Sequence, residues 1–487
     1  MGLLVKADNI FVEYLDRLVL KVPAAEIYEG ERIGIVGRNG AGKSTLMNIL
    51  SGIDKLAGCN RQVFGSIAHI QQLIGITAKE FENISDKSLI GKLHVSNLQI
   101  ETASGGETTK MKIAAALAQD VHGIFTDEPT CNLDEESVDF LISQLSYYTG
   151  ALLLISHDRH FLDSLVEKIW EVSECSVTVY FGNYSDYLFQ KEEIRNSQMV
   201  KYRQYIDEKS RLEKAAEEKS RQARDIDKKT KEKKKTESAG RTKPAKTVGS
   251  KQKSLHNAAK NIEQRIETLE EIKPPESAYV MRFKQSPALI MHNKFPVMAE
   301  GLHKSFGEKV IFLNASFSLP LGSKAALTGL NGVGKTTLLK MILNREPGLI
   351  ISPKAEIGYF AQNGYLFPKA VGLMEFMSQD CDYNQTEIRA ALASIGFYNN
   401  DLKKMLGELS GGEIVKCLLC KMLMNRYNIL LLDEPLNFLD TQSIEALERM
   451  IKGYLGTVLF VTHDRQAVKN VADVIYRIEN GKIIMCS

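Results

Sequence analysis

The sequence contains no long hydrophobic run, and this absence argues against a membrane-spanning helix. Crossing a bilayer takes about 20 consecutive, mostly apolar residues, and no segment of the 487-residue chain comes near that length. The amino terminus passes directly into a strand-like segment, without the basic residues and cleavage site of a secretory signal. We therefore expect a cytoplasmic protein with no membrane association.

Cysteine is also sparse and scattered. The chain has seven cysteines, and an odd, dispersed set argues against a disulfide framework. Cys417 and Cys420 form a single C-x2-C pair, but no second cysteine or histidine pair lies nearby to complete a zinc site. The pair is therefore predicted to pack inside a helical core.

Excess charge is nearly absent from the chain as a whole and is concentrated in one segment. The net charge is only +2, yet Lys219–Lys260 holds 15 Lys or Arg against 4 Asp or Glu, a net of +11. The rest of the chain is therefore acidic, at −9. A cationic segment on a mildly acidic body predicts a polyanionic partner.

What the chain does contain is two phosphate-binding loops of the form GxxxxGK[ST], in Gly37–Ser44 and Gly329–Thr336. Glycines in such a loop let backbone N–H groups point at phosphate oxygens, and the following helix adds its positive end. The lysines reach the β- and γ-phosphates of ATP, and the hydroxyls ligate Mg²⁺. The residues predicted to hold ATP are Gly37, Asn39, Gly40, Gly42, Lys43, Ser44 and Thr45 in the first loop and Gly329, Asn331, Gly332, Gly334, Lys335, Thr336 and Thr337 in the second.

The whole pattern is duplicated along the chain. Lys335 follows Lys43 by 292 residues, and the other motifs recur at similar offsets. Each copy alternates apolar strands with helical segments, which is typical of an α/β domain that binds ligands at the carboxyl ends of its strands. The length suits two domains and a connector. We expect one domain in residues 1–189 and another in residues 276–487, called here the first and second repeats.

Each repeat has an Asp-Glu pair at the end of an apolar strand. We predict that Asp127 and Asp433 contact Mg²⁺ beside the loop hydroxyls. We predict that Glu128 and Glu434 polarise the water that attacks the γ-phosphate. The pairs therefore add the catalytic groups that the phosphate loops lack.

Further polar residues recur at matching places in the repeats. His157 and His463 follow another apolar strand and can touch the γ-phosphate. A lone histidine is usually structural, but the repetition favours a catalytic role. Gln72 and Gln362 follow two predicted strands, where they could sense Mg²⁺ or the attacking water.

Two aromatic residues lie at equal distances before the phosphate loops. Tyr14 and Phe306 could stack on the adenine of ATP. Packing in the hydrophobic core is the competing interpretation.

Each repeat also contains a Ser-Gly-Gly-Glu turn that could cap a phosphate. The turn residues are Ser104, Gly105 and Gly106 in the first repeat and Ser410, Gly411 and Gly412 in the second. Because the intervening segment carries each turn away from the loop of its own repeat, we expect the repeats to pair head to tail. Lys43 would then face Ser410, and Lys335 would face Ser104. ATP would join the repeats, and hydrolysis would release them.

Residues 190–275 differ from both repeats. They combine Glu, Lys, Arg and Ala with apolar residues at three- and four-residue steps, which predicts an antiparallel α-helical hairpin. Glycines and a proline near residues 233–250 predict a non-helical tip. The competing interpretation is a solvated linker that only sets the distance between the repeats.

The order of these motifs resembles the ABC ATPase family, because Ser-Gly-Gly-Glu stands between a phosphate loop and Asp-Glu-Pro, and His-Asp-Arg follows. Two such sets joined by a charged helical hairpin resemble the ABC-F subfamily. The resemblance implies an α/β fold of two tandem ABC-type P-loop ATPase domains, with ATP and Mg²⁺ as ligands. It also implies binding at the E site of the 70S ribosome, near 23S rRNA and P-site tRNA. The pairing of its own two domains implies a monomer.

Within the subfamily, the chain resembles the antibiotic-resistance members. Gly182–Tyr187, Gly249–Lys253 and Gly358–Gly364 are similar to the macrolide/streptogramin B group, while related members counter lincosamides, pleuromutilins and streptogramin A. The resemblance implies a linker that reaches toward the peptidyl-transferase centre and exit tunnel and dislodges the drug. Two alternatives stay open: a housekeeping ABC-F factor that rescues stalled ribosomes, and the ATPase subunit of an ABC exporter.

The chain departs from the family pattern after its Asp-Glu pairs. Leu436 and Phe438 replace the usual Thr and His, and Cys131 stands in the first such loop. Both sites keep their lysines and carboxylates, so we expect both to hydrolyse ATP. The substitutions allow their rates to differ.

Overall fold

A computed structural model describes the chain as two compact units. The described residues are 2–14, 17–54, 59–70, 111–113, 115–117, 121–131, 133–236, 245–272, 289–361, 367–398, 400–437 and 439–486. One unit comprises Met1–Tyr187 and Ala278–Ser487, and the other comprises Leu188–Ser277. The predicted site residues that lie outside the described residues are Gln72, Ser104, Gly105, Gly106 and Gln362.

The first repeat alternates strands and helices as predicted. Its described strands are β1 (Leu3–Tyr14), β2 (Arg17–Tyr28), β3 (Arg32–Val36), β4 (Asn60–Val63), β5 (Ile67–Ile70), β6 (Gly123–Asp127), β7 (Ala151–Ile155), β8 (Lys168–Ser173) and β9 (Ser176–Phe181). Its described helices are α1 (Lys43–Ser51), α2 (Glu135–Tyr147) and α3 (Arg159–Leu165). Two further helices follow, α4 (Tyr184–Thr236) and α5 (Ala245–Glu267).

The second repeat has a similar order of elements and more described helices. Its described strands are β10 (Val297–Phe306), β11 (Lys309–Leu319), β12 (Lys324–Thr328), β13 (Leu349–Ile351), β14 (Ile357–Phe360), β15 (Ile429–Asp433), β16 (Thr457–Val461), β17 (Val474–Glu479) and β18 (Lys482–Met485). Its described α-helices are α6 (Lys335–Leu343), α7 (Leu373–Ser378), α8 (Gln385–Ser394), α9 (Gly411–Met424), α10 (Thr441–Gly453) and α11 (Arg465–Val471). Single 3-10 turns cover Asp401–Lys403 and Leu406–Glu408.

Both repeats have the same sheet topology in their described residues. The large sheet has the order β5-β6-β7-β3-β8-β9 in the first repeat and β14-β15-β16-β12-β17-β18 in the second. Neighbouring strands pair in parallel except for the last pair of each sheet, which is antiparallel. A smaller antiparallel sheet has the order β2-β1-β4 or β11-β10-β13. The shared topology confirms the predicted duplication and the α/β fold class.

The strand order explains why the phosphate loops lie where they do. β7 and β16 are buried at every position, as expected for central strands of a parallel sheet that is covered on both faces. β3 and β12 are their neighbours near the middle of each sheet. Because a phosphate loop follows each of these strands, both loops open at the carboxyl edge, where α/β sheets bind ligands.

Aspartates fix the starts of the helices around the predicted sites. Asp134 and Asp440 cap α2 and α10, and Asp158 and Asp464 cap α3 and α11. Each carboxylate accepts a hydrogen bond from the backbone N–H three residues on. Such a cap satisfies an N–H that has no partner within the helix and places negative charge at the positive end of the helix dipole.

The cysteine pair packs in the core, as predicted. Cys417 and Cys420 lie on α9 and are each 1 % exposed, among the leucines and methionines of the second repeat. In the part of the chain that the structure describes, no group of three or more His, Cys, Asp or Glu side chains could hold a metal ion.

The second unit consists of two helices that pack along each other. α4 has 53 residues, about 80 Å at 1.5 Å per residue, and begins within the first unit. Arg265 on α5 lies 3.8 Å from Glu208 on α4, and Leu212, Ala216 and Ala259 are buried. The predicted apolar stripe therefore forms a seam. Among the described residues, no helix is long and apolar enough to cross a membrane.

The helices extend further toward the tip than predicted. α4 continues to Thr236 and α5 begins at Ala245, so both ends of the predicted tip are helical. Lysine and alanine favour a helix, and a single interior glycine such as Gly249 costs only about 1 kcal/mol. The flanking sequence outweighs that cost, and positions 237–244 lie outside the described residues.

Candidate functional site

The two phosphate loops share one backbone geometry. Gly37 and Gly329 have φ angles of 147° and 140°, and a Cβ on Gly37 would collide with the carbonyl oxygen of Val172. Gly42 and Gly334 precede α1 and α6 in the left-handed conformation. The loops therefore turn tightly into helix N-termini, an arrangement that presents backbone N–H groups to an anion.

The loop lysines are buried and held by their own loops. Lys43 Nζ donates to the carbonyl oxygens of Gly37 and Arg38, at 2.8 Å and 3.1 Å. Lys335 Nζ makes the same two contacts in its loop, at 2.7 Å and 3.0 Å. Burial lowers the pKa of both amines, because desolvation disfavours the charged form. Each amine thus lies at the centre of a loop, where phosphate oxygens would bind.

The loop hydroxyls meet the first carboxylate of each Asp-Glu pair. Burial raises the pKa of both aspartates. The Ser44 hydroxyl is close enough to Asp127, and the Thr336 hydroxyl to Asp433, to offset part of that rise. Asp433 Oδ1 is buried without a hydrogen-bond partner. A hydroxyl beside a carboxylate supplies the hard oxygen ligands that Mg²⁺ prefers, so these residues fit the predicted cation.

The structure brings each predicted catalytic glutamate to its predicted histidine. His157 Nε2 lies 3.4 Å from Glu128 Oε1, and His463 Nε2 lies 3.5 Å from Glu434 Oε1. Both glutamates have positive φ angles, 52° and 50°, which non-glycine residues rarely adopt. Strained residues of this kind are concentrated at functional sites.

The two glutamates differ in their electrostatics. Burial raises the pKa of Glu128 to about 8, and the negative charge of Asp127 adds to the rise. Burial acts in the same direction on Glu434, but hydrogen bonding and charge from His463 and other donors lower its pKa below the usual value. The carboxylate form is therefore favoured more strongly in the second repeat.

One of those other donors is replaced by a different residue type in the first repeat. The Asn437 side chain donates to Glu434. The position 306 residues earlier is Cys131, and a thiol is a much weaker donor than an amide. This substitution, noted in the sequence, is one physical difference between the two sites.

The first phosphate loop contacts the second repeat. The backbone N–H of Asn39 donates to Asp440 Oδ2 at 3.1 Å, and Arg38 Nε donates to Gln442 Oε1 at 2.8 Å. Lys416 lies 3.6 Å from the same carboxylate. This lysine is on α9, the helix that begins at the second Ser-Gly-Gly turn. The first loop therefore faces the second repeat, as a head-to-tail pairing requires, and the expected contact of Lys43 with Ser410 stays a prediction.

The second phosphate loop is close to the first repeat in an equivalent way. Burial lowers the pKa of Lys335, and the nearby negative charges of Asp134 and Glu135 offset part of that decrease. Asp134 lies 306 residues before Asp440, so the two loops face equivalent carboxylates. The expected contact of Lys335 with Ser104 lies outside the described residues.

Two equivalent arginines also join the repeats. Arg159 Nη1 lies 3.3 Å from Glu448, with side chains 9 % and 8 % exposed. Arg465 Nη2 lies 2.6 Å from Asp139, and its Nε lies 3.5 Å from Glu135. The Arg465 side chain is 43 % exposed. The repeats therefore meet through two ion-pair clusters, one buried and one solvated.

The remaining predicted residues lie at the edges of this arrangement. Ser410 begins α9 and forms reciprocal hydrogen bonds with Glu413, and a Cβ on Gly411 would meet no atom within 4 Å. Tyr14 and Phe306 are 56 % and 59 % exposed, at the ends of β1 and β10. The core-packing interpretation of these aromatics is therefore wrong, and stacking on adenine stays a prediction.

Sequence reasoning did not find the residues that join the repeats. No role was predicted from the sequence for Asp440, Arg159 or Arg465. Both sets obey the 306-residue offset. That repetition of charged residues was the signal that could have identified them.

Comparisons with known proteins agree with the duplicated nucleotide sites. A family model described as ABC transporter matches residues 20–62 and 312–437. The erythromycin resistance ATP-binding protein MsrA of Staphylococcus epidermidis is 35% identical over 471 residues, which are 96% of this chain and 96% of that protein. The ribosome protection protein VmlR of Bacillus subtilis is 32% identical, over 99% of this chain and 87% of that protein.

Solved structures resemble the fold at lower sequence identity. An RNase-L inhibitor has a TM-score of 0.60 at 19% identity, over 96% of this chain and 88% of its own. An archaeal ribosome recycling factor, in complex with a ribosomal stalk protein, has a TM-score of 0.62 at 19% identity, over 98% and 90% of the two chains. At this identity the likeness supports the fold, two nucleotide-binding domains in one chain.

Proposed function

Because this chain belongs to the ABC-F family of ATPases, we propose that it is an ATP-dependent factor that protects the ribosome from antibiotics. One observation carries the proposal. The similarity to a ribosome protection protein covers 99% of the chain, so it includes the linker as well as both ATPase repeats. Another relative, similar over 96% of the chain, is named for resistance to erythromycin.

In this proposal the two sites bind ATP between the repeats and hydrolyse it. Lys43 and Lys335 hold the β- and γ-phosphates. Ser44 with Asp127, and Thr336 with Asp433, would hold Mg²⁺, which neutralises phosphate charge when bound. The remaining predicted residues complete the sites. The attacking water and the γ-phosphate are contacted by Glu128, Glu434, His157, His463, Gln72 and Gln362, and adenine stacks on Tyr14 and Phe306.

In this proposal, ribosomal RNA is the polyanion that the cationic linker binds. The net charge of +11 in Lys219–Lys260 suits contacts with phosphates of 23S rRNA and P-site tRNA. We propose that the protein acts in the cytoplasm as a monomer at the E site of the 70S ribosome. Its linker tip would reach toward the peptidyl-transferase centre and displace a macrolide or streptogramin B. Lincosamides, pleuromutilins and streptogramin A are the competing drug classes.

Drug susceptibility in a sensitive host tests this proposal. The chain should raise the minimum inhibitory concentration of at least one of the macrolide, lincosamide, pleuromutilin and streptogramin classes.

Two variants test the mechanism. Glu128→Gln with Glu434→Gln should abolish protection and hold the protein on ribosomes with ATP, because an amide cannot polarise the attacking water. Deleting residues 238–248 should abolish protection but keep ATP turnover. Glu136→Gln, an exposed change on α2, is the matched control.

The alternatives predict different outcomes. A housekeeping factor would leave every inhibitory concentration unchanged and would speed translation of stalled messages without drug. An exporter subunit would sediment with membranes rather than with ribosomes. Protection that survives in the double glutamine variant would contradict an ATP-driven mechanism.

A further inference from the structure

One histidine of the first repeat lies on the same face of the large sheet as the predicted metal-site aspartate. His69 is on β5, and both of its ring nitrogens are buried with no hydrogen-bond partner among the described residues. β5 pairs in parallel with β6, where His69 is opposite Phe125. Side chains two positions apart on a strand share a face, so Asp127 is the diagonal neighbour of His69, within reach of a long side chain.

The second repeat shows what a side chain at this position can contact. β14 pairs with β15 in the same register, and Tyr359 is opposite Leu431. The Tyr359 hydroxyl donates to Asp433 Oδ2 at 3.4 Å. Tyr359 follows His69 by 290 residues, the offset that also relates β5 to β14. The position therefore points toward the carboxylate that is predicted to contact Mg²⁺.

The two side chains differ in length and in chemistry. An imidazole is shorter than a phenol, and no hydrogen bond joins His69 to Asp127 in the described part of the chain. Burial lowers the pKa of His69, which favours the neutral ring with a free nitrogen lone pair. A buried polar atom without a partner calls for an explanation, and an absent ion is one. Neutral imidazole is a common ligand of transition metals.

We propose that His69 is a specificity-determining residue of the first ATP site, where its imidazole gives the divalent cation a nitrogen ligand. Phosphate oxygens of ATP would supply other ligands. At the equivalent position of the second site, Tyr359 carries an oxygen. The first site should therefore accept Co²⁺ in place of Mg²⁺ more readily than the second, because Co²⁺ binds imidazole and Mg²⁺ prefers oxygen. This inference rests on the proposed cation sites beside Asp127 and Asp433.

The competing explanation is that the ring of His69 only fills space beside β6. Tyr359 packs against the hydrophobic core of the second repeat, so a ring at this position can have a structural use. In that case the ring would matter and its nitrogens would not. Phenylalanine separates the two explanations, because it keeps an aromatic ring and removes both nitrogens.

Three variants isolate the imidazole. His69→Phe removes the nitrogens, and His69→Tyr installs the side chain of the second repeat. Tyr359→His makes the reverse exchange and should give the second site a nitrogen ligand. His122→Phe is the matched control, because it removes a histidine that precedes β6, at the opposite end of this strand from Asp127. The His122 ring instead contacts Ser66, with 3.0 Å between Nδ1 and Oγ.

ATP turnover by the purified full-length chain, with Mg²⁺ or Co²⁺, gives the first readout. With Glu434→Gln in the background, only the first site turns over. There His69→Phe and His69→Tyr should raise the Co²⁺ concentration for half-maximal turnover about tenfold, the lower end for changes around a metal site. The Mg²⁺ requirement should change much less. With Glu128→Gln in the background, Tyr359→His should lower the Co²⁺ requirement of the second site by a similar factor. His122→Phe should change neither site.

Nitrogen ligation itself gives the second readout, which does not depend on turnover. The Glu128→Gln, Glu434→Gln protein is prepared with isotope-labelled histidine and loaded with ATP and Mn²⁺, whose unpaired electrons sense nearby nitrogen nuclei. Pulsed electron paramagnetic resonance should detect labelled nitrogen coupled to Mn²⁺. The coupling should be lost with His69→Phe and retained with His122→Phe.

Two results would overturn the proposal. One is a nitrogen coupling that persists in His69→Phe but disappears in His157→Ala, because the ligand would then be the histidine beside Glu128. The other is a Co²⁺ requirement that His69→Phe and His69→Tyr leave unchanged. A background protein that binds ATP without Mn²⁺ would contradict the proposed cation sites themselves. The failure of the inference is therefore distinguishable from the failure of the proposed sites.

Discussion

At the residue scale, the two ATP sites share their reactive groups but differ in what surrounds the glutamate. Asn437 donates to Glu434, and Cys131 occupies the equivalent position beside Glu128. A hydrogen bond from a neutral amide helps to keep a carboxylate charged and fixes its orientation. Glu434 is therefore better prepared than Glu128 for the proposed polarisation of water.

Exchanging these two residues should exchange the behaviour of the sites. With Glu434→Gln in the background, Cys131→Asn should raise kcat at the first site about three- to tenfold, the range of one hydrogen bond. With Glu128→Gln in the background, Asn437→Cys should lower kcat at the second site by a similar factor. Single-turnover phosphate release measures both. Cys486→Asn, at an exposed cysteine, controls for loss of a thiol. If neither Cys131→Asn nor Asn437→Cys changes kcat relative to its own background, this explanation is refuted.

The residues predicted to touch ATP stand in recognisable motifs, and the residues that join the repeats do not. Lys43, Asp127 and Glu128 belong to motifs whose spacing is set by one loop and one strand, and their proposed tasks fix the residue types. Asp440 and Arg159 contact residues hundreds of positions away in the sequence, and only the assembled repeats create these contacts. No local pattern encodes such a contact, so only the equal offsets between the repeats could have pointed to Asp440.

At the element scale, the helices of the second unit rely on a narrow seam. Only a few of their described side chains are buried, among them Leu212 and Ala259. Two helices cannot enclose a core as a larger domain does, and most of the surface that they bury is in this seam. The seam should therefore be sensitive to the loss of one large side chain.

Leu212→Ala should loosen the hairpin without disturbing the ATPase repeats. Truncation of a buried leucine costs about 2–5 kcal/mol, and we expect the lower end here because water can reach a two-helix seam. Limited proteolysis should cut α4 and α5 faster, while basal ATP turnover stays at the wild-type rate. Ile206→Ala, at a position 41 % exposed on the same helix, should change neither. A fall in basal turnover would show that the repeats depend on the hairpin.

The alternation of strands and helices followed from the sequence. It is observed in both repeats, because short apolar runs alternate with longer segments of helical period. The tip of the hairpin was predicted less well. There glycine predicts the end of a helix, but the Lys-rich flanking sequence continues the helix through Gly249. The propensity differences between residues are too small to locate such a helix end from the sequence.

At the scale of the whole molecule, the two arginines that join the repeats are equivalent in sequence, but their partners and their environments differ. The Arg159 pair is buried, and the Arg465 cluster is largely exposed. Exposed ion pairs contribute little and weaken with salt. A buried pair is screened much less, and removal of one partner leaves a charge without compensation. The two contacts should therefore hold the repeats together with unequal strength.

Arginine replacement should reveal this inequality. Arg159→Ala leaves Glu448 buried and uncompensated, so the loss of stability should reach about 3–5 kcal/mol. Arg465→Ala should cost at most about 1 kcal/mol, and that cost should vanish at high salt because the wild-type cluster is already screened there. Denaturant unfolding at low and high salt, with dyes on the two repeats to follow their separation, measures both changes.

Arg159→Met with Glu448→Leu provides the decisive comparison, because it removes both buried charges at once. If the burial of an unpaired carboxylate causes the loss, this double variant should recover most of the stability that Arg159→Ala removes. If it does not, the arginine holds the repeats through its packing rather than its charge.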